Sequence, residues 1–257
     1  MDSQSRSQLA TDLLAGLKQG VVLAAAALVM ILPPAGQAVS HASVSTVADP
    51  ERVAAFRGAD FGAHAPTDDA RLIADWATDS GDSRGLPFAI LDKRDARLYV
   101  FTAEGRLIDA SPVLLGAAPG DDSVPDIGSR PMALVRPEER TTPAGRFVSA
   151  PGKNASDEDV VWVDHGAAVS MHRVRLVDPK ERRLERLASP DPAERRISYG
   201  CINVPVAFFE SVVWPILGIG RAVVYVLPEQ RAIGDVFAGA YSAQGRPAPR
   251  PPALARL

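Results

Sequence analysis

The chain has 257 residues, of which 46% are hydrophobic and 23% are charged, and its formal net charge is -3 at pH 7. This composition is that of an ordinary globular protein with one substantial core and short accessory segments. The slightly acidic balance lacks the basic field that holds nucleic acid, so nucleic acid is not an expected partner.

An uncharged apolar run occupies residues 21–32, preceded by Arg6 and Lys18 and followed by Pro33 and Pro34. The run is shorter than the roughly 20 residues that span a bilayer, and Gly36-Gln37-Ala38 has the small-x-small pattern of a cleavage site. Residues 1–38 are therefore predicted to be an export signal, with an uncleaved membrane anchor or a buried helix as alternatives. Both export interpretations place the protein in the periplasm or cell envelope, with membrane contact only through this segment.

Two further segments show little of the pattern of a core. Residues 39–85 contain short helical patterns at 51–57 and 68–78, separated by Gly, Ala and Pro, and are interpreted as a loosely structured spacer. Residues 229–257 end in a run rich in Pro and Arg, which predicts a flexible, solvated tail.

Residues 86–228 have the pattern of a mostly β domain. Short apolar runs at 88–92 and 97–101 enclose a polar turn, which predicts a hairpin. Further strands are predicted at 107–108, 112–116, 145–149, 160–163, 167–173, 197–204 and 222–227, and a helix at 206–217. Because no βα alternation is present, the pattern favours a β-sandwich or open barrel with one or two short helices.

The only cysteine of the chain, Cys201, is a candidate nucleophile. A lone cysteine forms neither an internal disulfide nor a Cys-rich zinc site, which leaves an inert thiol, an intermolecular bridge or a reactive residue. A neighbouring histidine lowers the pKa of a thiol from about 8.5 to roughly 3.5–7.5 and so generates the nucleophilic thiolate. His172, at the end of a predicted strand, is the candidate base, with a structural hydrogen-bonding role as the alternative.

Several segments, in order along the chain, resemble the L,D-transpeptidase catalytic domain, the YkuD-like family. Residues 198–203, Ser-Tyr-Gly-Cys-Ile-Asn, resemble the family signature Ser-His-Gly-Cys-hydrophobic-Arg/Asn. Residues 141–147, Thr-Thr-Pro-Ala-Gly-Arg-Phe, resemble its Thr-Pro-x-Gly-x-Phe segment. The 88–101 hairpin is similar to the family's opening strands, and His172 matches its upstream histidine, so the resemblance covers about residues 87–227.

This resemblance implies cysteine-dependent acyl transfer on the peptide stems of peptidoglycan. Cys201 is then the nucleophile, and His172 is the base that later protonates the leaving D-alanine. The backbone N–H groups of Gly200 and Cys201 would form the oxyanion hole, and Ser198 would orient the loop or the histidine. A stem amine as acceptor gives a crosslink, water gives an L,D-carboxypeptidase, and carbapenem β-lactams are the implied covalent inhibitors.

The candidate substrate contacts are Tyr199, Asn203, Arg196 and Arg173, since arginine suits bidentate carboxylate recognition. The chain departs from the family in two places. Tyr199 replaces the usual histidine, and its hydroxyl cannot share an imidazole's proton. Residues 173–196 form a longer connection, interpreted either as a solvated surface loop or as a lid over an anionic substrate.

The sequence predicts no cofactor and no metal, because it has no His/Cys cluster, no Gly-rich loop with a following lysine and no acidic metal-binding loop. Two other classes of protein remain as alternatives. One is a non-catalytic cell-wall-binding module of the same fold, against which intact Cys201 and His172 argue. The other is a thiol hydrolase of another fold, which leaves the match at residues 141–147 unexplained.

Overall fold

The computed structural model describes residues 55–245. The strands in this part of the chain are β1 (Phe88–Asp92), β2 (Arg97–Phe101), β3 (Leu107–Pro112), β4 (Leu115–Gly116), β5 (Gly145–Lys153), β6 (Asp159–Asp164), β7 (Val169–Arg173), β8 (Arg196–Ser198), β9 (Ile202–Val204) and β10 (Ala222–Val226). Eight of them form a mixed sheet in the order β3-β2-β1-β10-β5-β6-β7-β9, and β4 pairs with β8 in a small parallel sheet. The predicted mostly β fold class is confirmed.

The helices in the described residues are α1 (Asp68–Ser80), α2 (Arg183–Ala188), α3 (Val206–Phe208), α4 (Trp214–Leu217) and α5 (Ile233–Val236). Turns of 3-10 helix lie at Ile127–Ser129, Met132–Leu134, Pro137–Glu139, Pro179–Glu181, Pro192–Arg195 and Ala243–Gly245. A π-helical segment, Phe209–Val213, joins α3 to α4, so the predicted helix at 206–217 is confirmed. Helices are more numerous than the one or two expected.

The central strands are buried on both faces because their apolar side chains alternate between two cores. In β10, Val224 and Val226 pack into the first core, while Val223 and Tyr225 pack into the second. Strand β1 pairs antiparallel with β2 and parallel with β10. Strands covered on both faces have continuous apolar sequences, which is why the 88–101 hairpin is predictable.

Helix α1 confirms the helical pattern predicted at 68–78, and it packs against the second core, so this part of the 39–85 segment is ordered rather than a loosely structured spacer. The hydroxyl of Thr67 caps the helix by accepting a hydrogen bond from a backbone N–H of the first turn. Ile73 is fully buried, and the Trp76 ring meets Tyr225 edge-on with centroids 6.0 Å apart. The helical pattern predicted at 51–57 lies mostly outside the described residues, and 55–57 are not helical.

The chain remains folded after β10, which moves the predicted start of the flexible tail beyond residue 229. The backbone N–H groups of Glu229, Gln230 and Arg231 donate to the carboxylate of Asp121 over 2.7–2.9 Å. Phe237 is buried against the second core. The Pro-rich end and the predicted export segment at 1–38 lie outside the described residues. Within residues 55–245, no helix is long and apolar enough to cross a membrane.

Replacing Ile73 by alanine is expected to lower the free energy of unfolding by about 2–5 kcal/mol, the usual cost of truncating a buried isoleucine. Urea denaturation followed by circular dichroism measures the change. Asp68→Ala, at an exposed position of the same helix, is the control and is expected to cost less than about 1 kcal/mol. Equal stabilities of Ile73→Ala and the wild type would show that the helix is dispensable for folding.

Candidate active site

Cys201 lies on a tight loop between β8 and β9, where a single strand was predicted at 197–204. Gly200 breaks the strand with a φ of 126°, and a Cβ atom there would lie 2.7 Å from the carbonyl oxygen of Thr141. Only glycine adopts this conformation and tolerates this approach without strain. Gly200 therefore fixes the position of the thiol by bringing the loop against the 141–147 segment.

Ser198 closes the loop internally. Its Oγ accepts a hydrogen bond from the Gly200 N–H at 3.1 Å and donates one to the Cys201 carbonyl at 2.6 Å. The Gly200 N–H, one of the two predicted oxyanion donors, is thus engaged within the loop. Ser198 therefore holds the backbone of Cys201, where the sequence predicted that it would orient the loop or the histidine.

Thr142 holds the same loop from the other side and explains why the Thr-Pro segment accompanies the cysteine motif. Its buried hydroxyl donates to the carbonyl of Gly200 at 2.8 Å and accepts from the N–H of Gly116 at 3.0 Å. The carbonyl of Thr142 accepts a hydrogen bond from Lys93 Nζ at 2.9 Å. A continuous set of hydrogen bonds therefore connects Lys93 to the loop that carries the thiol.

A buried ion cluster lies behind Thr142. Lys93 is fully buried, with Nζ 2.8 Å from Asp121 Oδ1 and 3.5 Å from Glu229 Oε1. Burial alone would raise the pKa of Asp121, but Lys93 and three backbone N–H donors hold it well below its usual range. The cluster joins the β1–β2 turn to the segment after β10 and supports the 141–147 segment between them.

His172 and Ser170 share one face of β7, because side chains alternate along a strand. His172 is in register with Asn203 of β9, two residues after the cysteine. Its Nδ1 lies 2.8 Å from the carbonyl of Arg173, which assigns the proton to Nδ1 and makes Nε2 the basic nitrogen. Ser170 Oγ lies 3.8 Å from Cys201 Sγ. The spacing of Ser170 from His172 could have identified Ser170 from the sequence.

The pKa of the Cys201 thiol is lowered from the ordinary value of 9.0. Burial acts in the opposite direction and is the largest single influence. A hydrogen bond from His172, the charge of its ring and contacts with Ser170 together outweigh it. A lowered pKa increases the thiolate fraction near neutral pH, and the thiolate is the nucleophilic form.

The thiol opens onto a cleft of about 430 Å³. The cleft is lined by the cysteine loop, by strands β6, β7 and β9, by the β5–β6 turn and by the 173–196 connection. Its lining residues are Met132, Asn154, Ala155, Ser156, Trp162, Ala168, Ser170, His172, Arg175, Val177, Asp178, Glu181, Arg183, Ser198, Tyr199, Cys201 and Asn203. Five of the predicted residues line the cleft, namely Cys201, His172, Ser198, Tyr199 and Asn203, and Gly200 lies in the same loop as Cys201.

Tyr199, the residue that departs from the signature that residues 198–203 resemble, lines the cleft with 37% of its surface exposed. The guanidinium of Arg140 lies over its ring, 4.0 Å from the centroid. This cation–π contact fixes the ring in place. Tyr199 therefore forms a wall of the cleft.

Arg173 and Arg196, predicted to contact substrate, are not among the residues that line the cleft. Arg173 pairs with Glu210 at 2.5 Å and lies over the ring of Phe209. Arg196 pairs with Glu229 at the edge of the ion cluster. Both guanidinium groups serve the packing of the domain, and the arginines that do line the cleft are Arg175 and Arg183.

No protein-family model and no curated protein matches the chain. Similar solved structures include the helical cell shape determining protein Pgp2 from Campylobacter jejuni, at 13% identity and a TM-score of 0.39, covering 62% of this chain and 50% of that one. An L,D-transpeptidase from Mycobacterium smegmatis is 15% identical, with a TM-score of 0.34 and coverage of 55% and 58%. The catalytic domain of the E. faecium L,D-transpeptidase is 16% identical, with a TM-score of 0.30 and coverage of 56% and 98%. This chain spans about half the length of Pgp2.

Proposed function

We propose that the domain is a cysteine acyltransferase that acts on peptidoglycan stem peptides. The observation that carries the proposal is that Cys201, on a hydrogen-bonded loop, and His172, on strand β7, line the same cleft, where His172 lowers the pKa of the thiol. The motif order in the sequence supports the choice of substrate. The predicted export segment at residues 1–38 supports action in the cell envelope, where peptidoglycan lies.

The proposed reaction has two steps. His172 Nε2 takes the proton of Cys201, and the thiolate attacks the carbonyl that precedes the terminal D-alanine of a stem. The C–N bond then breaks, His172 returns the proton to the leaving amine, and a thioester remains on Cys201. An amine of a second stem attacks the thioester, His172 takes a proton from this amine, and the C–S bond breaks, which leaves the new amide and the Cys201 thiolate. The backbone N–H of Cys201 is the proposed oxyanion donor.

The same thioester yields a carboxypeptidase when water is the acceptor. A non-catalytic module of the same fold would bind peptidoglycan without forming the thioester. The placement of Cys201 and His172 at one cleft favours the enzyme, because a binding module needs neither a thiol nor a base there.

Purified protein incubated with a disaccharide tetrapeptide is expected to release D-alanine, and mass spectrometry of the other product identifies the acceptor. A crosslinked dimer indicates transpeptidation, and a tripeptide alone indicates hydrolysis. The Cys201→Ala variant is the control and should release no D-alanine. Binding to insoluble peptidoglycan without D-alanine release by the wild-type protein would refute the enzyme and support the binding module.

A further inference from the structure

The 173–196 connection forms one wall of the cleft and is held near both ends, while most of its side chains are exposed. Leu187 of helix α2 is buried in a small core with Leu114 and Val174. At the far end, Arg195 is 5% exposed and donates to the backbone carbonyls of Asp95 and Ser189 at 3.0 and 2.6 Å. Fixed near both ends, the connection holds its cleft-lining side chains in defined positions.

Arg183 is a side chain of this wall that lines the cleft and contacts Asn203, two residues after Cys201. It is 14% exposed, and its Nε pairs with Glu181 at 2.5 Å. Its Nη1 donates to Asn203 Oδ1 at 2.5 Å, and Asn203 Nδ2 donates to the carbonyl of Cys201 at 3.2 Å. One side chain, that of Asn203, therefore separates the Arg183 guanidinium from the cysteine backbone.

The guanidinium of Arg183 has capacity for a further ligand. Arginine carries five N–H donors in a planar fork, and the contacts to Glu181 and Asn203 use Nε and Nη1. Arg175 lines the same cleft, and its ion pair with Glu158 is long, at 3.8 Å, with both side chains nearly half exposed. Such a pair contributes little, so the wall presents a second cation to an anionic ligand.

We infer that Arg183 recognises the terminal carboxylate of the acyl-donor stem, with Arg175 as a second cation in a cleft whose lining also holds Asp178 and Glu181. The inference rests on the proposed function and identifies Arg183 as the residue that selects the acyl-donor peptide. The carboxylate of the leaving D-alanine lies only a few bonds from the carbonyl that Cys201 attacks, so its partner must lie beside the nucleophile. Arg183 is a cleft-lining cation in that place, held in a preformed orientation by two side chains.

The test compares a tetrapeptide donor that has a free terminal carboxylate with the same peptide as its terminal amide. The wild-type protein is expected to prefer the free acid. Arg183→Gln is expected to raise KM for the free acid roughly 10- to 100-fold, the contribution of a charged hydrogen bond, with little change in kcat and little effect on the amide. Arg183→Lys should recover part of the loss, because the charge remains while the fork is lost.

Arg182→Gln is the matched control, since Arg182 is 68% exposed, pairs with Glu185 and does not line the Cys201 cleft. It should leave both donors unchanged, and alkylation of Cys201 by iodoacetamide should be unchanged in Arg183→Gln. Equal losses of kcat on both donors would overturn the inference, because Arg183 would then act only through Asn203. A wild-type protein that consumes neither donor would refute the proposed function itself.

Discussion

A single carbapenem adduct is expected on the wild-type protein, and no adduct is expected on the Cys201→Ala variant. The thiolate attacks the strained β-lactam carbonyl, the C–N bond of the ring breaks, and the ring nitrogen takes the proton, so the protein gains the whole mass of the drug. Intact-protein mass spectrometry measures the gain. An unmodified wild-type protein with a titratable thiol would contradict both the assignment of Cys201 as the nucleophile and the proposed enzymatic activity.

The His172→Ala variant is expected to acylate about 10²- to 10⁴-fold more slowly, the usual contribution of a positioned base. The pH dependence gives an independent readout. In the wild type the rate should rise with a midpoint below 9.0, because the pKa of Cys201 is lowered. Without His172, burial acts on the thiol against weaker opposition, so the midpoint should move to higher pH. An unchanged midpoint would assign His172 a structural role only.

The hairpin and the cysteine motif were predictable because they depend on local pattern. Strands β1 and β2 were predicted from two apolar runs on either side of a polar turn. The motif at residues 198–203 was recognised because its residues are consecutive in the sequence. The break at Gly200 was not predictable from the same pattern. It depends on the close approach of the Thr141 carbonyl, a contact between segments that are distant in sequence.

The choice among arginines could not be made from the sequence. Arg173, Arg183 and Arg196 belong to one basic connection and have equal chemistry. Their positions depend on partners that are distant in sequence. Arg173 forms an ion pair with Glu210, and Arg196 forms one with Glu229. Arg183 donates a hydrogen bond to Asn203 at the cleft. The packing of helix α1 against the second core was not predicted for a related reason. The apolar face of a helix does not show which part of the chain will cover it.

Removing the Asp121 carboxylate from the buried ion cluster is expected to destabilise the fold. Replacing Asp121 by alanine leaves Lys93 without its nearest carboxylate and removes the acceptor of three backbone N–H groups. Breaking a buried pair in this way typically costs about 3–5 kcal/mol of unfolding free energy. Asp122→Ala is the matched control, since that side chain is 79% exposed and its pair with Arg231 should contribute less than about 1 kcal/mol.

The same cluster is expected to make the fold less stable at acid pH. The pKa of Asp121 in the folded protein lies below its ordinary value of 3.8. Its contribution is therefore complete above that pH and is lost as the pH falls below it, because the unfolded chain then binds the proton first. Urea midpoints measured from pH 6 down to pH 3 should fall more steeply for the wild type than for Asp121→Ala.

Because Lys93 supports Thr142, and Thr142 supports Gly200, the Asp121→Ala variant should also acylate more slowly at pH 7, where Asp122→Ala should match the wild type. Wild-type stability and acylation in Asp121→Ala would show that the cluster neither stabilises the fold nor positions the cysteine loop.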